Sequence, residues 1–85
     1  MMAQHIGIDG FNRSKEDDEK ISHDIAHCFS TENGKAVLKY LKSITIEAVS
    51  GANITDNELR HLEGQRFIIA LIYRRIQHSH GAKTK

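Results

Sequence analysis

The feature that most constrains this chain is an unbroken apolar run of seven residues, Phe67–Tyr73. No other stretch is as apolar, so this run is the candidate centre of a core. It falls well short of the ~18–20 apolar residues that a membrane span needs, and we expect no membrane segment. Its β-branched residues also allow a strand. The helix-start residues upstream and the lack of partner strands favour a helix.

A long third helix is predicted from roughly Asp56 to His78, with Gly81 ending it. Thr55 and Glu58 have the spacing of a capping box. A heptad-like apolar seam is expected to seat the other two helices. Its members are Leu59, Leu62, Ile69, Tyr73 and Ile76.

Two shorter helices are predicted before it. Ser14 is the expected start of the first and Thr31 of the second, which continues to about Ala48. The first helix presents one apolar face, formed by Ile21, Ile25, Cys28 and Phe29. On that face Cys28 is predicted to be a buried structural thiol. The face of the second helix is formed by Ala36, Val37, Leu38, Leu41 and Ile44.

The predicted fold class is therefore all-α, a small three-helix bundle with a long C-terminal helix over residues 14–80. Residues 1–13 are predicted to be a flexible arm, and residues 81–85 a disordered tail. Ile8 and Phe11 leave two alternatives for the arm, a frayed end or packing onto the domain or a partner. With 85 residues the chain buries a modest core, so self-association or a partner would help it.

Charge and cysteine content exclude several classes. The chain has 12 Lys and Arg against 11 Asp and Glu, a net charge of +1, which argues against a generally basic nucleic-acid coat. A single cysteine excludes an internal disulfide framework and a Cys-based zinc site. It favours a reducing, intracellular location.

No catalytic or cofactor site is predicted, and we expect a protein that is not an enzyme. His23 and His27 stand four apart, a spacing that can bind zinc on a helix. If Ile21, Ile25 and Phe29 face the core, both histidines face solvent without a third ligand, so no metal is expected.

A basic face is one candidate binding surface. It comprises Lys35, Lys39 and Lys42 of the second helix and Arg74 and Arg75 of the third. These side chains would meet phosphates if the protein bound DNA. A solvated lysine face is the alternative, and the shortage of polar base-reading residues on the third helix favours it.

Two blocks of sequence resemble a known family. Phe29–Leu41 looks like a Phe-x-Thr/Ser-x-x-Gly-x-x-Val-Leu-x-x-Leu pattern, and Glu63-Gly64-Gln65-Arg66 before an apolar helix looks like a Glu-Gly-x-Arg signature. Both belong to small helical proteins of tailed phages and prophages, of the Bordetella-podophage type, encoded among head-morphogenesis genes. The blocks cover residues 29–41 and 59–76, just over a third of the chain.

The resemblance implies a non-enzymatic structural or assembly accessory protein of a phage. Its expected partner is itself or another phage structural protein, and its expected location is the bacterial host cytoplasm or the virion. A small DNA-binding or DNA-packaging accessory protein is the alternative.

The residues expected to mediate interaction lie on the third helix. Arg66 occupies a seam position and must find an acceptor, either Glu63 in a structural pair, the carbonyls at a helix end, or a partner group. Gly64 is expected to mark the close approach of a neighbouring helix, because glycine within a helix costs about 1 kcal/mol relative to alanine. The apolar members of the set point away from the seam: Phe67, Ile68, Leu71 and Ile72.

The start of the third helix is testable. Thr55→Ala is expected to lower the free energy of unfolding by about 1 kcal/mol, because one N-terminal amide loses its acceptor. Chemical denaturation measures this change. An unchanged unfolding midpoint would contradict a helix start at Thr55.

Overall fold

The computed structural model describes residues 5–48, 51 and 53–83. Three helices account for most of them: α1 (Lys15–Cys28), α2 (Glu32–Ser43) and α3 (Asp56–Lys83). Within the described ranges the one β-type pairing is an isolated antiparallel bridge between Ile6 and Asn12. The predicted all-α class and the long C-terminal helix are confirmed.

All three predicted helix starts are confirmed by their capping hydrogen bonds. The Ser14 hydroxyl accepts from the Asp17 amide at 3.1 Å, and Thr31 Oγ1 accepts from the Gly34 amide at 3.0 Å. Thr55 Oγ1 accepts from the Glu58 amide, also at 3.1 Å. Each hydroxyl satisfies an amide that has no partner within its own helix.

The helix ends differ from the predictions. α2 ends at Ser43, and residues 44–47 form a turn in which the Thr45 hydroxyl donates to the Leu41 carbonyl at 2.6 Å. A side chain that bonds a backbone carbonyl competes with continuation of the helix. α3 passes through Gly81 to Lys83, so Gly81 does not end it. The predicted tail at 84–85 lies outside the described residues.

The helices form a flat arrangement. α1 packs along the C-terminal part of α3, where Asp18 and Ser22 meet Arg75, whereas α2 touches α3 far less. The molecule measures 50 × 37 × 15 Å and has a radius of gyration of 15.6 Å. A compact chain of this length would have about 12 Å. Only Leu38 and Ile69 are fully buried apolar side chains among the described residues, so the core is thin.

Residues 5–13 are folded onto the helices, where the sequence predicted a loose arm. The Gly7 amide donates to the Phe11 carbonyl at 2.8 Å, and the Arg13 amide donates to the His5 carbonyl at 3.0 Å. The Ile8 amide also reaches the Asp18 carboxylate of α1 at 3.4 Å. The segment is thus held by polar contacts, while Phe11 stays 66% exposed. Residues 1–4 lie outside the described part.

The buried face of α1 is rotated from the one predicted. Ile21, Ile25 and Phe29 are half-buried as expected, but the two fully buried residues are Asp18 and Ser22. Cys28 is exposed, so the prediction of a buried thiol is wrong. The face follows the polar contacts to α3, and Cys28 falls beyond its edge at the last residue of the helix.

Gly34 allows α1 and α2 to meet closely. A Cβ atom added there would lie 2.5 Å from the Cys28 carbonyl oxygen and 2.9 Å from Phe29 Cα. Both are backbone atoms that cannot rotate away, so the turn between the helices requires glycine.

Gly34→Ala is therefore expected to destabilise the fold by about 1–3 kcal/mol, because the backbone must shift to admit a methyl group. Asn33→Ala is the matched control, since Asn33 is an exposed neighbour in the same helix. Urea denaturation followed by circular dichroism compares the two. Equal midpoints would show that this contact does not constrain the turn.

Candidate functional site

The predicted basic face is divided by the fold. Lys35, Lys39 and Arg74 are exposed, but Lys42 is half-buried, with its Nζ 5.5 Å from the centre of the Tyr73 ring and 3.7 Å from Glu47 Oε2. Arg75 is only 2% exposed. The prediction that Arg75 joins a solvent-facing basic surface is wrong, because α1 and the 5–13 segment enclose its guanidinium.

The centre of the fold is a polar cluster, which we define as Asp9, Asp18, Ser22, Arg75 and His78. Arg75 Nη1 donates to Asp18 Oδ1 at 2.6 Å, to the Asp18 carbonyl at 2.8 Å and to Ser22 Oγ at 3.0 Å. Its Nη2 lies 3.2 Å from Asp9 Oδ2, close enough for an ion pair but not aligned for a hydrogen bond. The guanidinium therefore links α1, α3 and the N-terminal segment.

The two carboxylates of the polar cluster are held in their charged form. Burial raises the pKa of Asp18, but hydrogen bonds from Arg75 and His5 outweigh it, so the net pKa is lowered. A side-chain hydrogen bond from Arg13 is the main cause that lowers the pKa of Asp9 to about 2. Arg13 Nε donates to Asp9 Oδ2 at 2.9 Å.

His78 and Ser22 complete the polar cluster. Ser22 Oγ and His78 Nδ1 are 2.6 Å apart, and His78 Nε2 lies 4.0 Å from Asp18 Oδ2. Ser22 Oγ also accepts from Arg75 Nη1, so this hydroxyl contacts both Arg75 and His78 of α3. Ser22 is 0% exposed. A nucleophile has to touch its substrate, and the Ser22 hydroxyl is closed off from solvent here.

Arg66 contacts Glu63, one of the acceptors that the sequence analysis named, and two backbone carbonyls of the connection after α2. Its Nη1 donates to Glu63 Oε1 at 3.0 Å. Its Nε donates to the Thr45 carbonyl at 2.9 Å and its Nη2 to the Ala48 carbonyl at 2.7 Å. Arg66 thus fastens the turn after α2 to α3.

The other predicted interaction residues differ in exposure. Phe67 and Ile68 are 53% and 54% exposed, whereas Leu71 and Ile72 are half-buried. A Cβ atom at Gly64 would meet nothing within 4 Å, so no neighbouring helix of the same chain approaches it. The expected close approach at Gly64 is not made within the monomer.

A groove adjoins Ile68 and extends this surface to α2. It has a volume of about 380 Å³ and is lined by Leu41, Ile44, Thr45, Gln65, Ile68 and Ile69. Val37, Tyr40 and Ile44 follow at helical spacing along α2 and are 52%, 62% and 49% exposed. We call the five half-exposed residues Val37, Tyr40, Ile44, Phe67 and Ile68 the apolar face.

Sequence reasoning missed several of these positions. Asp18 is one of several acids near the start of α1, a position that the helix dipole alone would explain. The available signal was that Asp18 and Ser22 stand four apart on the same side as Ile21 and Ile25. Nothing local in the sequence indicated that Arg75 would be their partner.

The two histidines of α1 lie where the sequence placed them. His23 and His27 are both exposed, with ring centroids 6.4 Å apart and nearly parallel. In the part of the chain that the structure describes, no group of three or more His, Cys, Asp or Glu side chains is arranged to hold a metal ion. None of the helices is long and apolar enough, over its described residues, to cross a membrane.

The ion pair at the centre of the polar cluster is testable. Asp18→Asn and Arg75→Met are each expected to destabilise the fold by about 3–5 kcal/mol, because each leaves the buried partner uncompensated. The double variant should cost less than the sum of the two single variants. Arg74→Met, at the exposed neighbouring position, is the control and should change stability little.

The two carboxylates of the polar cluster, Asp9 and Asp18, predict how the stability of the fold changes at low pH. A carboxylate with a lowered folded-state pKa stabilises above its ordinary pKa of 3.8, and this stabilisation is lost as pH falls through the folded-state pKa. Stability should therefore fall between about pH 4 and the value of about 2 for Asp9. Thermal denaturation across this range measures it, and a flat profile would contradict the charged state of the polar cluster.

Comparison with known proteins accounts for most of the chain. No curated protein and no solved structure matches it. A family model described as Bbp19-like phage protein matches residues 25–83, from the last turn of α1 to the end of α3. This match includes both sequence blocks, Phe29–Leu41 and residues 59–76, and confirms the predicted phage resemblance. Because the model spans more than half of the chain, the protein belongs to the Bbp19-like phage protein family.

Proposed function

We propose that this protein is a non-enzymatic structural or assembly accessory of a phage or prophage particle, and that it acts through helix-mediated protein contacts. The observation that carries the proposal is the apolar face. A chain with so thin a core leaves five large apolar side chains about half exposed. An apolar patch of more than a few hundred Å² on the surface of a monomer often marks a site that a partner covers.

The groove gives the apolar face the form of a docking site. Ile44 of α2 and Ile68 of α3 line its two sides, and Arg66 holds the turn that follows α2 in place. A partner helix binds such a groove through side chains repeated along one of its faces. A groove whose walls are already held in place lowers the free-energy cost of binding, because fewer side chains and loops lose conformational freedom when the partner binds.

DNA binding is the competing proposal, supported by the exposed side chains of Lys35, Lys39 and Arg74. It is weaker because Arg75 is enclosed in the polar cluster and Lys42 lies against Tyr73. Within the predicted basic face three exposed cations remain, fewer than the roughly six to ten phosphate contacts of a strong DNA-binding surface.

Complementation of a phage or prophage that encodes this chain tests the proposal. Ile68→Glu should lower the yield of infectious particles by about tenfold or more, because a buried charge opposes docking. In density gradients the Ile68→Glu variant should be absent from the fractions that contain heads or head intermediates. Gln77→Glu is the matched control, an exposed site on the same helix, and should leave yield unchanged.

The outcomes separate the two functions. If Ile68→Glu and Gln77→Glu behave alike while Lys35→Glu with Lys39→Glu abolishes particle yield, contact through the apolar face is contradicted. A mobility-shift assay at two salt concentrations then identifies DNA binding, since phosphate contacts weaken steeply with salt.

A further inference from the structure

We propose that the partner of the apolar face is a second copy of this chain, and that two α3 helices cross antiparallel at a point between Phe67 and Ile68. The inference rests on the proposed function and names the occupant of its docking surface. It begins from Gly64, a glycine in the middle of α3 whose Cβ position is open.

The stripe around Gly64 has the spacing of a helix-packing surface. Gly64, Phe67, Ile68 and Leu71 stand at positions i, i+3, i+4 and i+7 on one side of α3. Gly64, Phe67 and Ile68 are exposed and Leu71 is half-buried. The stripe carries no charge, so it offers nothing that would select an acidic or basic partner.

The stripe is complementary to itself in one orientation. In an antiparallel pair, residues equally far from the crossing point lie opposite each other. Phe67 then packs on Ile68 of the second copy, and Gly64 faces Leu71, a hole opposite a large side chain. A parallel pair would place Gly64 opposite Gly64 and Phe67 opposite Phe67. Alternating small and large residues fill the contact better, and antiparallel helix dipoles also attract.

The exposed area fits a dimer. The five side chains of the apolar face are about half exposed and together present on the order of 500 Å² of apolar surface. A standard interface buries about 800 Å² per partner, of which about 56–65% is apolar. Ile44, directly after α2, lines the groove together with Ile68. Val37 and Tyr40 of α2 precede Ile44 at helical spacing and are also exposed. A second layer of helices would also cover a molecule that is only 15 Å thick.

The first test is the oligomeric state by sedimentation equilibrium of the full chain. The wild type should be a dimer at micromolar concentration. Ile68→Glu should raise the dissociation constant by about a hundredfold, whereas Gln77→Glu should not change it. Circular dichroism should show both variants folded, because both positions are exposed. A wild type that stays monomeric at ~100 µM, where a standard-sized interface would be occupied, overturns the proposal.

Gly64→Ala is the sharper variant because the monomer and the dimer respond in opposite directions. In the monomer the added methyl group meets nothing, and alanine favours the helix, so thermal stability at high dilution should rise. In the dimer the methyl group occupies the space that receives Leu71 of the second copy, so the dissociation constant should rise by about tenfold. Gly81→Ala, also with open space at its Cβ position, is the control and should leave association unchanged. An unchanged dimer in Gly64→Ala would overturn the crossing point.

Disulfide trapping tests the orientation, in a Cys28→Ser background because Cys28 is an exposed thiol. A Gly64→Cys chain and a Leu71→Cys chain are mixed under mild oxidation. In an antiparallel pair position 64 of one chain faces position 71 of the other, so the disulfide joins one chain of each kind. Two identical chains would not be joined, because positions 64 and 71 lie about 10 Å apart along a helix. A disulfide needs Cβ atoms within about 4.5 Å of each other. Products that join two identical chains would overturn the antiparallel arrangement.

Failure of this inference differs from failure of the proposed function. If the wild type is a monomer but Ile68→Glu still lowers particle yield, a different phage protein occupies the apolar face and only the dimer is overturned. If the dimer forms and dissociates as described but particle yield is unaffected, the dimer stands and the assembly function fails.

Discussion

The burial of one guanidinium determines how the parts of this fold meet. Arg75 lies on α3, and its hydrogen-bond acceptors are Asp18 and Ser22 of α1. Asp9 of the N-terminal segment lies within ion-pair distance of the same guanidinium. Removing an arginine from water is costly unless hydrogen bonds and opposite charge compensate it. The register of α1 against α3 is therefore limited to the one in which these acceptors surround Arg75. The Coulomb attraction largely offsets the desolvation cost, so the pair specifies an arrangement more than it adds net stability.

A second arginine does the same for α2. Arg66 binds the Thr45 and Ala48 carbonyls, which belong to the turn after α2, and it also holds Glu63 on its own helix. Carbonyls near the end of a helix lack partners within it, and a guanidinium can serve two of them at once. The Glu-Gly-x-Arg block that resembles the phage family thus has a structural role. Through these two arginines, polar contacts position α1 and α2 on α3 where the apolar core is thin.

This architecture leaves apolar surface uncovered. Since polar contacts fix the helices, the apolar residues do not all have to face inward, and Phe67 and Ile68 remain about half exposed. Gly64 adds an open position beside them in the middle of α3. The polar cluster thus lies along the C-terminal part of α3, whereas the exposed residues Phe67 and Ile68 lie on the preceding part.

The sequence by itself determined the features that depend on contacts between residues close together along the chain. The hydroxyls of Ser14, Thr31 and Thr55 reach amides three positions away, so the helix starts and the all-α class followed from local spacing. The sequence also indicated that Arg66 needs an acceptor, because a charge in an apolar seam cannot stay unpaired.

Only the tertiary structure decided the rest. Asp18 and Arg75 are 57 positions apart, and no local pattern indicates that two distant charges will meet where helices cross. The burial of Arg75, the ordered 5–13 segment and the exposure of Cys28 all follow from that crossing. Periodicity shows which side of a helix is apolar, but which part of that side is covered depends on where the neighbouring helix lies.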